Sequence, residues 1–511
     1  MRPIRLLAAF VTVGGWTLAS RLLGFVRDMM IAAFLGAGPV AEAFLIAFAL
    51  PNMFRRFFAE GAFNTAFVPM FAKRYEAGGD AKGFAAQAAG GLGLLLIILC
   101  LVALVFMPWL VWAMASGFSG DKFDMAVDMG RIVFVYILLI SMAALISGVL
   151  NALGQFAAAA AAPLLLNIIL IGFMWASPLL GIDVGTALTW GVPIAGVAQL
   201  ALVWVAARRA GFTIIPKLGW SPDMKRLAII AAPAALAGGV VQINLLVGRQ
   251  VASFTDGAIA WLSYADRLYQ LPLGVVGIAI GVVLLPELSR RLAAGDRLGG
   301  QSAANRAAEF AMALSLPSAI ALVVVPGLLV GVLFERGAFG AADTAATAMA
   351  VAIYGIGLPA FVLQKVISPL FFAREDTRRP FYYAVVSMLI NLGLAIGLMP
   401  WLGYLAAPVA TTSAAWAMLG LLMLGARRFG TSGQMDARLR RRVPRQILAA
   451  MVMGAVIFGL GWVLAPWLAA GTGLRFAALG FVVLVGAISY GGVLFAIGGL
   501  ARGDFGRLTK R

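Results

Sequence analysis

Apolar runs of twenty or more residues follow one another along almost the whole of this 511-residue chain. A helix needs roughly 20 apolar residues to cross a hydrocarbon layer ~30 Å thick. Because 62% of the residues are hydrophobic and only 12% are charged, with a mean hydropathy of +0.98, the composition excludes a soluble globular protein. We count fourteen apolar runs bounded by charges, proline or glycine. They predict an all-α, polytopic membrane protein with about fourteen transmembrane helices.

The positive charges predict the orientation of these spans. If the N-terminus is inside the cell, 28 of the 39 lysines and arginines fall in cytoplasmic segments. The outer loops then hold four, which are Lys122, Arg131, Arg336 and Arg475. This asymmetry follows the positive-inside rule, so we expect both termini to be cytoplasmic. It also accounts for the net charge of +18 without any nucleic-acid partner. The N-terminal string MRPIRLLAAFVTVGGW lacks a small-residue cleavage site, so we expect the first span to be retained.

The chain resembles itself at a shift of about 218 residues. Pro108 and Tyr136 recur as Pro326 and Tyr354, and VPMFAKRYEAGGD resembles LPELSRRLAAGD. We therefore expect two six-span lobes, residues 1–215 and 216–430, followed by spans 13 and 14 in residues 431–511. Lobes with an even number of spans share one topology, so a pseudo-twofold axis along the membrane normal should relate them. Repeats of this kind commonly enclose a central cavity used in transport.

Several charges lie inside the predicted spans rather than in the loops. A charge near the bilayer centre costs ~2.5–3.5 kcal/mol on insertion scales, so such residues are functional candidates. The acids are Asp28, Glu42, Glu60 and Asp266. The seven bases are Arg21, Arg27, Arg55, Arg56, Arg249, Arg267 and Lys365. Since the bases outnumber the acids by three, the pattern indicates a negatively charged ligand.

Two short segments contain the strongest candidates for the substrate site. Arg27 and Asp28 end the string SRLLGFVRD, and Asp266 and Arg267 lie in YADRL. Arg21 lies two helical turns before Asp28 and should share its face. Consecutive helical residues are offset by about 100°, so we expect Asp28 to pair only loosely with Arg27 and to find another partner. Structural ion pairing between the halves is the alternative for all of these residues.

The remaining candidates are assigned to gating or support. Arg55, in PNMFRRFFAEGAF, should face the cavity and pair loosely with Glu60, whereas Arg56 fits a position at a helix end. Glu42 follows an outer turn, so it could contact a base from the second half at an outer gate. Lys365 either reaches the cavity or pairs across helices.

Other chemistries lack the residues they need. The chain has no histidine and one cysteine, Cys100, which excludes disulfides and metal sites based on histidine or cysteine. It also lacks a glycine-rich phosphate-binding loop of the nucleotide-hydrolysing type. We therefore expect no cofactor, no metal and no enzymatic activity.

Three long strings resemble the MurJ (MviN) lipid II flippase family of the multidrug/oligosaccharidyl-lipid/polysaccharide exporter superfamily. They are SRLLGFVRDMMIAAFLGAG, LPNMFRRFFAEGAFNTAFVPMF and LSYADRLYQLPLGVVGIAIGVVLLPELSR. The resemblance implies two six-span lobes with a cationic central cavity and a lipid-tail groove along spans 13 and 14. It places the family's essential arginines at Arg21, Arg27, Arg55 and Arg267.

The resemblance also implies a sodium site in some family members, with carboxylate ligands on spans 7 and 11. Here those spans offer Asn244 and Asn391, and span 12 offers Thr411 and Thr412. Without an acid at these positions, we do not expect sodium coupling through such a site.

The resulting hypothesis is a flippase in the bacterial inner membrane. It would export lipid II, the undecaprenyl-diphosphate-linked muropeptide, by alternating access, with membrane lipids and the cell-wall synthesis machinery as further partners. A multidrug exporter of the same superfamily is the first alternative, although a cationic drug would favour a cavity rich in carboxylates. A membrane glycan polymerase or glycosyltransferase would need a larger catalytic segment outside the spans. A scramblase or scaffold would not need seven bases within the spans.

Overall fold

The computed structural model describes residues 6–55, 62–468 and 472–500. Within these ranges the regular structure is entirely helical, which confirms the predicted all-α membrane fold. Nine helical segments of the described residues are long and apolar enough to cross a membrane. The count of fourteen stays a prediction. Arg56 and Glu60 lie outside the described residues.

The helices form two compact units. The first comprises the described residues up to Ala260 together with Arg336–Phe339, and the second comprises Trp261–Glu335 and the described residues from Gly340 onward. The predicted division into lobes 1–215 and 216–430 with an appended pair stays a prediction. The helices of the first unit are α1 (Leu6–Leu35), α2 (Pro39–Arg55), α3 (Ala62–Glu76), α4 (Ala81–Val105), α5 (Met107–Met114), α6 (Gly120–Phe134), α7 (Tyr136–Ala152), α8 (Ala157–Leu180), α9 (Val184–Arg209) and α10 (Pro222–Ala252).

Helix α11 begins at the end of the first unit and continues into the second. The remaining helices belong to the second unit, where two 3-10 helices, Gly403–Leu405 and Arg427–Gly433, follow α15 and α16. The α-helices are α11 (Ala258–Ala293), α12 (Arg297–Val324), α13 (Pro326–Phe334), α14 (Ala341–Phe372), α15 (Arg378–Leu402), α16 (Ala406–Ala426), α17 (Ala437–Val463), α18 (Ala465–Leu468) and α19 (Thr472–Ala496).

The internal repeat corresponds to matching local structure. Asp80 caps α4 by accepting a hydrogen bond from the Gly83 N–H at 2.7 Å. Asp296 caps α12 in the same way, from the Gly299 N–H at 2.8 Å. Each of these long helices then breaks just before a proline, and a short helix follows, α5 in one unit and α13 in the other. Proline stabilises the first turn of a helix and disfavours continuation from the preceding turn, so the same signals produce the same break twice.

Tight helix packing in the first unit positions the candidate site. Helix α1 packs on α8, and α2 packs on α6. Along α1 the side chains change from mostly exposed over residues 13–22 to mostly buried or half-buried from Arg27 onward. Cys100, the single cysteine of the chain, is buried on α4. Large apolar side chains such as Val105, Trp175 and Trp401 are exposed, as expected for surfaces that face lipid.

Candidate functional site

Arg27 and Asp28 form a buried ion pair on α1. Their exposed fractions are 5% and 6%. The Nε and Nη2 atoms of Arg27 both donate to Oδ1 of Asp28, at 2.9 and 2.7 Å. The expectation that these two residues pair only loosely was wrong. The long guanidinium folds back along the helix, so the 100° offset between consecutive residues does not keep the two groups apart.

Asn167 on α8 is the partner of Arg27 from another helix. Its Oδ1 accepts a hydrogen bond from Arg27 Nη1 at 3.0 Å, and its Nδ2 donates to the Ser20 carbonyl at 3.0 Å. A Cβ atom at Gly24 would lie 3.6 Å from the same amide, which is an ordinary van der Waals contact, so α1 and α8 lie close together at this point. Sequence reasoning did not propose Asn167 as a site residue. The available signal was a single amide inside the apolar string PLLLNIIL.

The Arg27 guanidinium retains unused hydrogen-bonding capacity. A guanidinium carries five N–H groups. Three of them donate to Asp28 and Asn167, so two, on Nη1 and Nη2, donate to no other residue that the structure describes. The Arg27 Cζ atom also lies 5.5 Å from the centre of the Phe48 ring. The arrangement can therefore offer a rigid, oriented cation to a further acceptor.

Arg21 and Arg55 differ from Arg27 in their surroundings. Arg21 is exposed on α1, whereas Asp28 is buried, so the predicted shared face does not give them a shared environment. The reason is that the described part of α1 becomes packed only beyond Arg21. Arg55 is the last residue of α2 and is half-buried.

Glu42 joins the ends of several helices in the first unit. It is 1% exposed, and its Oε2 accepts a hydrogen bond from Lys122 Nζ of α6 at 3.0 Å. Its Oε1 accepts the Ile259 N–H at the start of α11, also at 3.0 Å. Lys122 in turn contacts the exposed Asp256 at 2.6 Å. A base from the second half was expected here; instead the base comes from α6, and the chain near residue 259 contributes a backbone N–H.

A second contact at this end involves backbone atoms and glycine. The Ala338 N–H donates to the Ala33 carbonyl near the end of α1 at 2.8 Å. Gly36 and Gly337 both have positive φ, and a Cβ atom at Gly337 would lie 2.1 Å from that carbonyl. Only glycine allows this approach.

In the second unit, Asp266 and Arg267 are half-buried on α11. Gln270 donates a hydrogen bond to Asp266. The ring of Tyr269 lies 4.9 Å from that of Tyr354, which is the repeat counterpart of Tyr136. Aromatic packing therefore surrounds this part of α11.

The two other bases predicted within spans have different exposures. Arg249, in the last turn of α10, is half-buried. Lys365 on α14 is exposed, although the neighbouring Val362 and Val366 are buried. It forms no ion pair with any residue in the described ranges, so pairing across helices, one of the two expectations, is not what this structure shows.

A buried charge cluster in the second unit was not expected from the sequence. Glu309 on α12 is 3% exposed and accepts hydrogen bonds from Arg438 Nε and Nη2 of α17, both at 3.1 Å. Arg306 and Arg442 also pair with it. The arginines near residues 438–445 had been explained only by the positive-inside rule. The signal for this cluster was one acid near the start of a predicted span.

Among the residues that the structure describes, no group of three or more aspartate, glutamate, cysteine or histidine side chains could hold a metal ion. The candidate site therefore consists of arginines, carboxylates and one amide.

The comparisons with known proteins agree on one family. The sequence profile described as "Lipid II flippase MurJ" matches residues 31–475. A "Probable lipid II flippase MurJ" of Rhizobium meliloti is 45% identical over 99% of this chain and 96% of its own length. Its counterpart in Rhizobium tropici is 43% identical over 99% of this chain and 97% of its own length.

Solved structures support the same fold. A lipid II flippase MurJ in an "inward closed conformation" has a TM-score of 0.78 at 24% identity, covering 94% of this chain and 98% of that one. An inward-facing multidrug transporter of the MATE family and MOP superfamily has a TM-score of 0.66 at 16% identity, over 82% of this chain and 96% of its own. These likenesses show the shared architecture. The profile match and the full-length relatives show that the chain belongs to the lipid II flippase MurJ family.

Proposed function

We propose that this chain exports lipid II from the inner to the outer leaflet of the bacterial cytoplasmic membrane by alternating access. The observation that carries this proposal is its 43–45% identity, over 99% of its length, to relatives named as lipid II flippases. The chain is a multi-pass inner-membrane protein of a transporter family. The charge asymmetry of its loops supports an orientation with both termini in the cytoplasm.

We further propose that Arg27 binds the diphosphate of the substrate. Arginine matches phosphate oxygens with parallel N–H groups, and two such groups of Arg27 are unused by the described residues. Asn167 would keep the guanidinium oriented while the diphosphate competes with Asp28 for it. The remaining proposed binding residues are Asp28, Arg267, Arg21 and Arg55. The proposed gate and supporting residues are Glu42, Arg56, Glu60, Arg249, Asp266 and Lys365.

The charge balance supports an anionic substrate. Within the first unit, Glu42 is neutralised by Lys122, which is not one of the seven bases predicted within spans. The negative charge of Glu42 is therefore compensated by a cation other than those seven bases. A diphosphate would supply negative charge inside the membrane, where an uncompensated cation is costly.

The multidrug-exporter alternative is less well supported. The likeness to the MATE transporter concerns the fold, at 16% identity. A site for cationic drugs would require excess carboxylates, whereas the residues around Arg27 are one acid, one amide and an aromatic ring.

The test is complementation of a bacterial strain whose own lipid II flippase can be depleted. Wild-type protein should restore growth and prevent lipid II from accumulating in the inner leaflet. Arg27→Ala and Arg267→Ala should each abolish export at normal protein levels. Arg131→Ala, which removes an exposed cation on α6, is the matched control and should support growth.

Two results would contradict the proposal at different levels. Growth supported by Arg27→Ala or Arg267→Ala as the sole flippase would refute the site assignment. Failure of the well-expressed wild-type protein to lower inner-leaflet lipid II would refute the function itself.

A further inference from the structure

The second unit contains an apolar cavity of about 510 Å³ near the N-terminal end of α17. We propose that it binds one acyl chain of an anionic glycerophospholipid, whose phosphate is held by Arg427 and Arg440 at its rim. The volume lies in the range of small-molecule sites, roughly 300–1,000 Å³. The lining comes from α12, α14, α16, the second 3-10 helix and α17.

The interior of the cavity is suited to a hydrocarbon chain. Its walls include Met312, Leu363 and Val443. Asn305 is the buried amide on the wall, and its Nδ2 donates to the carbonyls of Gln301 at 2.8 Å and Gln434 at 3.0 Å. Because the protein itself uses these hydrogen bonds, the Nδ2 group of this amide is not available to anchor a polar ligand. A hydrocarbon chain needs no hydrogen-bond partner in the cavity.

The rim carries two cations with no carboxylate partner. Arg427 and Arg440 are exposed, and neither forms an ion pair with any residue in the described ranges. The neighbouring arginines differ, because Arg438 and Arg442 are held by Glu309. The charge at the rim is therefore complementary to a phosphate that lies beside the bound chain.

The position of the cavity selects a lipid of the inner leaflet. It lies beside the string ARLRRRVPRQ at the start of α17, which the charge asymmetry places on the cytoplasmic side. Basic pockets between transmembrane helices on this side bind anionic headgroups. The assignment of the lipid to the inner leaflet rests on the proposed orientation of the chain but not on the proposed substrate.

The cavity is distinct from the lipid-tail groove expected along spans 13 and 14. Among the described residues that line it, α17 contributes Leu439, Arg440, Val443 and Pro444, and α19 contributes none. A substrate tail lying between α17 and α19 would leave this cavity available.

Lipid binding to the full-length protein tests the proposal. Purified, delipidated protein is titrated with phosphatidylglycerol, and bound lipids are counted by native mass spectrometry. One lipid should be retained per chain, and the double variant Arg427→Gln/Arg440→Gln should weaken its binding about ten- to thirty-fold. Arg441→Gln removes the same charge from the adjacent, exposed position that does not line the cavity, and should change binding less than three-fold. Zwitterionic phosphatidylcholine should bind at least ten-fold more weakly than phosphatidylglycerol to wild-type protein.

A photoreactive group at the end of the acyl chain tests the interior without altering the protein. It should crosslink to α12 and α14 near Met312 and Leu363. The variant Ala308→Phe, which fills the cavity from α12, should reduce crosslinking while leaving the two arginines in place.

Four outcomes would overturn the proposal. The first is that Arg441→Gln weakens binding as much as the double variant does, and the second is that phosphatidylcholine binds as tightly as phosphatidylglycerol. The third is that crosslinks form only on α19. The fourth is that an equimolar polyprenyl diphosphate displaces phosphatidylglycerol. The last outcome would assign the cavity to the substrate tail. All four outcomes are measured as lipid binding or crosslinking, so they can be decided even if the protein does not transport lipid II.

Discussion

Glu42 in the first unit and Glu309 in the second are both buried carboxylates, but they are neutralised differently. Glu42 has one cationic partner, Lys122, and a backbone N–H from Ile259. Glu309 has three arginine partners, two of them on α17. Lys122 is also shared with the exposed Asp256, whereas the Glu309 cluster is extended by a pair between Arg306 and Asp436 at the start of α17.

The difference lies in the number of cations: Glu42 depends on one lysine, whereas three arginines converge on Glu309. One lysine with an exposed second partner can leave Glu42 without stranding its own charge. Three guanidiniums that converge on one carboxylate cannot leave together without exposing several unpaired charges. The structure thus connects α12 to α17 more firmly than it connects the segments around Glu42.

The largest effect is expected when the Glu309 cluster loses its carboxylate. Glu309→Gln leaves the three arginines without their buried counter-charge, so the free energy of unfolding should fall by about 3 kcal/mol. Thermal unfolding of the purified protein measures this. Glu287→Gln is the control, because Glu287 pairs with the exposed Arg290 and the half-buried Arg291 and should change stability by about 0.5 kcal/mol or less. Equal losses in the two variants would remove the distinction between attachment and surface pairing.

The Glu42 contact should respond asymmetrically to its two partners. Lys122→Met leaves a carboxylate that is 1% exposed without its cation and should cost about 2–3 kcal/mol. Glu42→Gln should cost only about 1 kcal/mol, because the amide oxygen still accepts the Ile259 N–H and Lys122 keeps Asp256. Thermal unfolding of both variants tests this order. A reversed order would show that the Ile259 N–H, rather than Lys122, mainly stabilises the Glu42 carboxylate.

The loss of stability caused by disrupting the hydrogen bonds of Arg27 should lie between the largest and smallest of these values. Asn167→Ala removes one acceptor from a charged donor and one bond to the Ser20 carbonyl, so it should cost about 1.5–2 kcal/mol. Lipid II export in the depletion strain should also fall. Asn151→Ala, at an exposed position of α7, should be neutral in both measurements. Unchanged export in a destabilised Asn167→Ala variant would mean that Asn167 only supports packing.

The smallest expected effect concerns Asp183, which caps α9 through the Thr186 N–H at 2.9 Å. Asp183→Ala should cost about 1 kcal/mol. Burial raises the pKa of Asp183, but hydrogen bonds from Thr186 and the Gly185 backbone outweigh it, so the pKa lies below its ordinary value of 3.8. The charged cap therefore stabilises the fold above that pH, and its contribution is lost as the pH falls through the lowered pKa.

Asp183→Asn provides the control for this pH dependence. Asparagine is an equally good cap, so the variant should keep its stability near neutral pH. When unfolding is measured from pH 5 to pH 3, the stability of this variant should lack the small acid-dependent decrease that the wild-type protein shows. An unchanged acid profile would assign that component to other carboxylates.

Signals that act over a few residues produce the caps at Asp80 and Asp296 and the breaks before Pro108 and Pro326. The sequence analysis found the repeat that relates these positions but did not predict the caps or the breaks. The apolar runs did predict an all-helical membrane protein, because each run is a local property of the chain. For the same reason Arg27 and Asp28 could be identified as buried charges from their position in one span.

Partners that come from another helix could not be read in this way. Asn167 lies 140 residues from Arg27, and Arg438 lies 129 residues from Glu309. Their contacts depend on how α1 meets α8 and how α12 meets α17, which helical periodicity does not specify. The same limit explains why a second-half base was assigned to Glu42 when α6 supplies the lysine.

The buried thiol of Cys100 has a practical consequence for studies of motion. Because it is the single cysteine of the chain and is shielded on α4, labelling reagents should react with cysteines introduced elsewhere in preference to it. Pairs of spectroscopic probes can therefore be placed on chosen helices without first removing a native reactive group. Distances between them can then be followed through a transport cycle in otherwise natural protein.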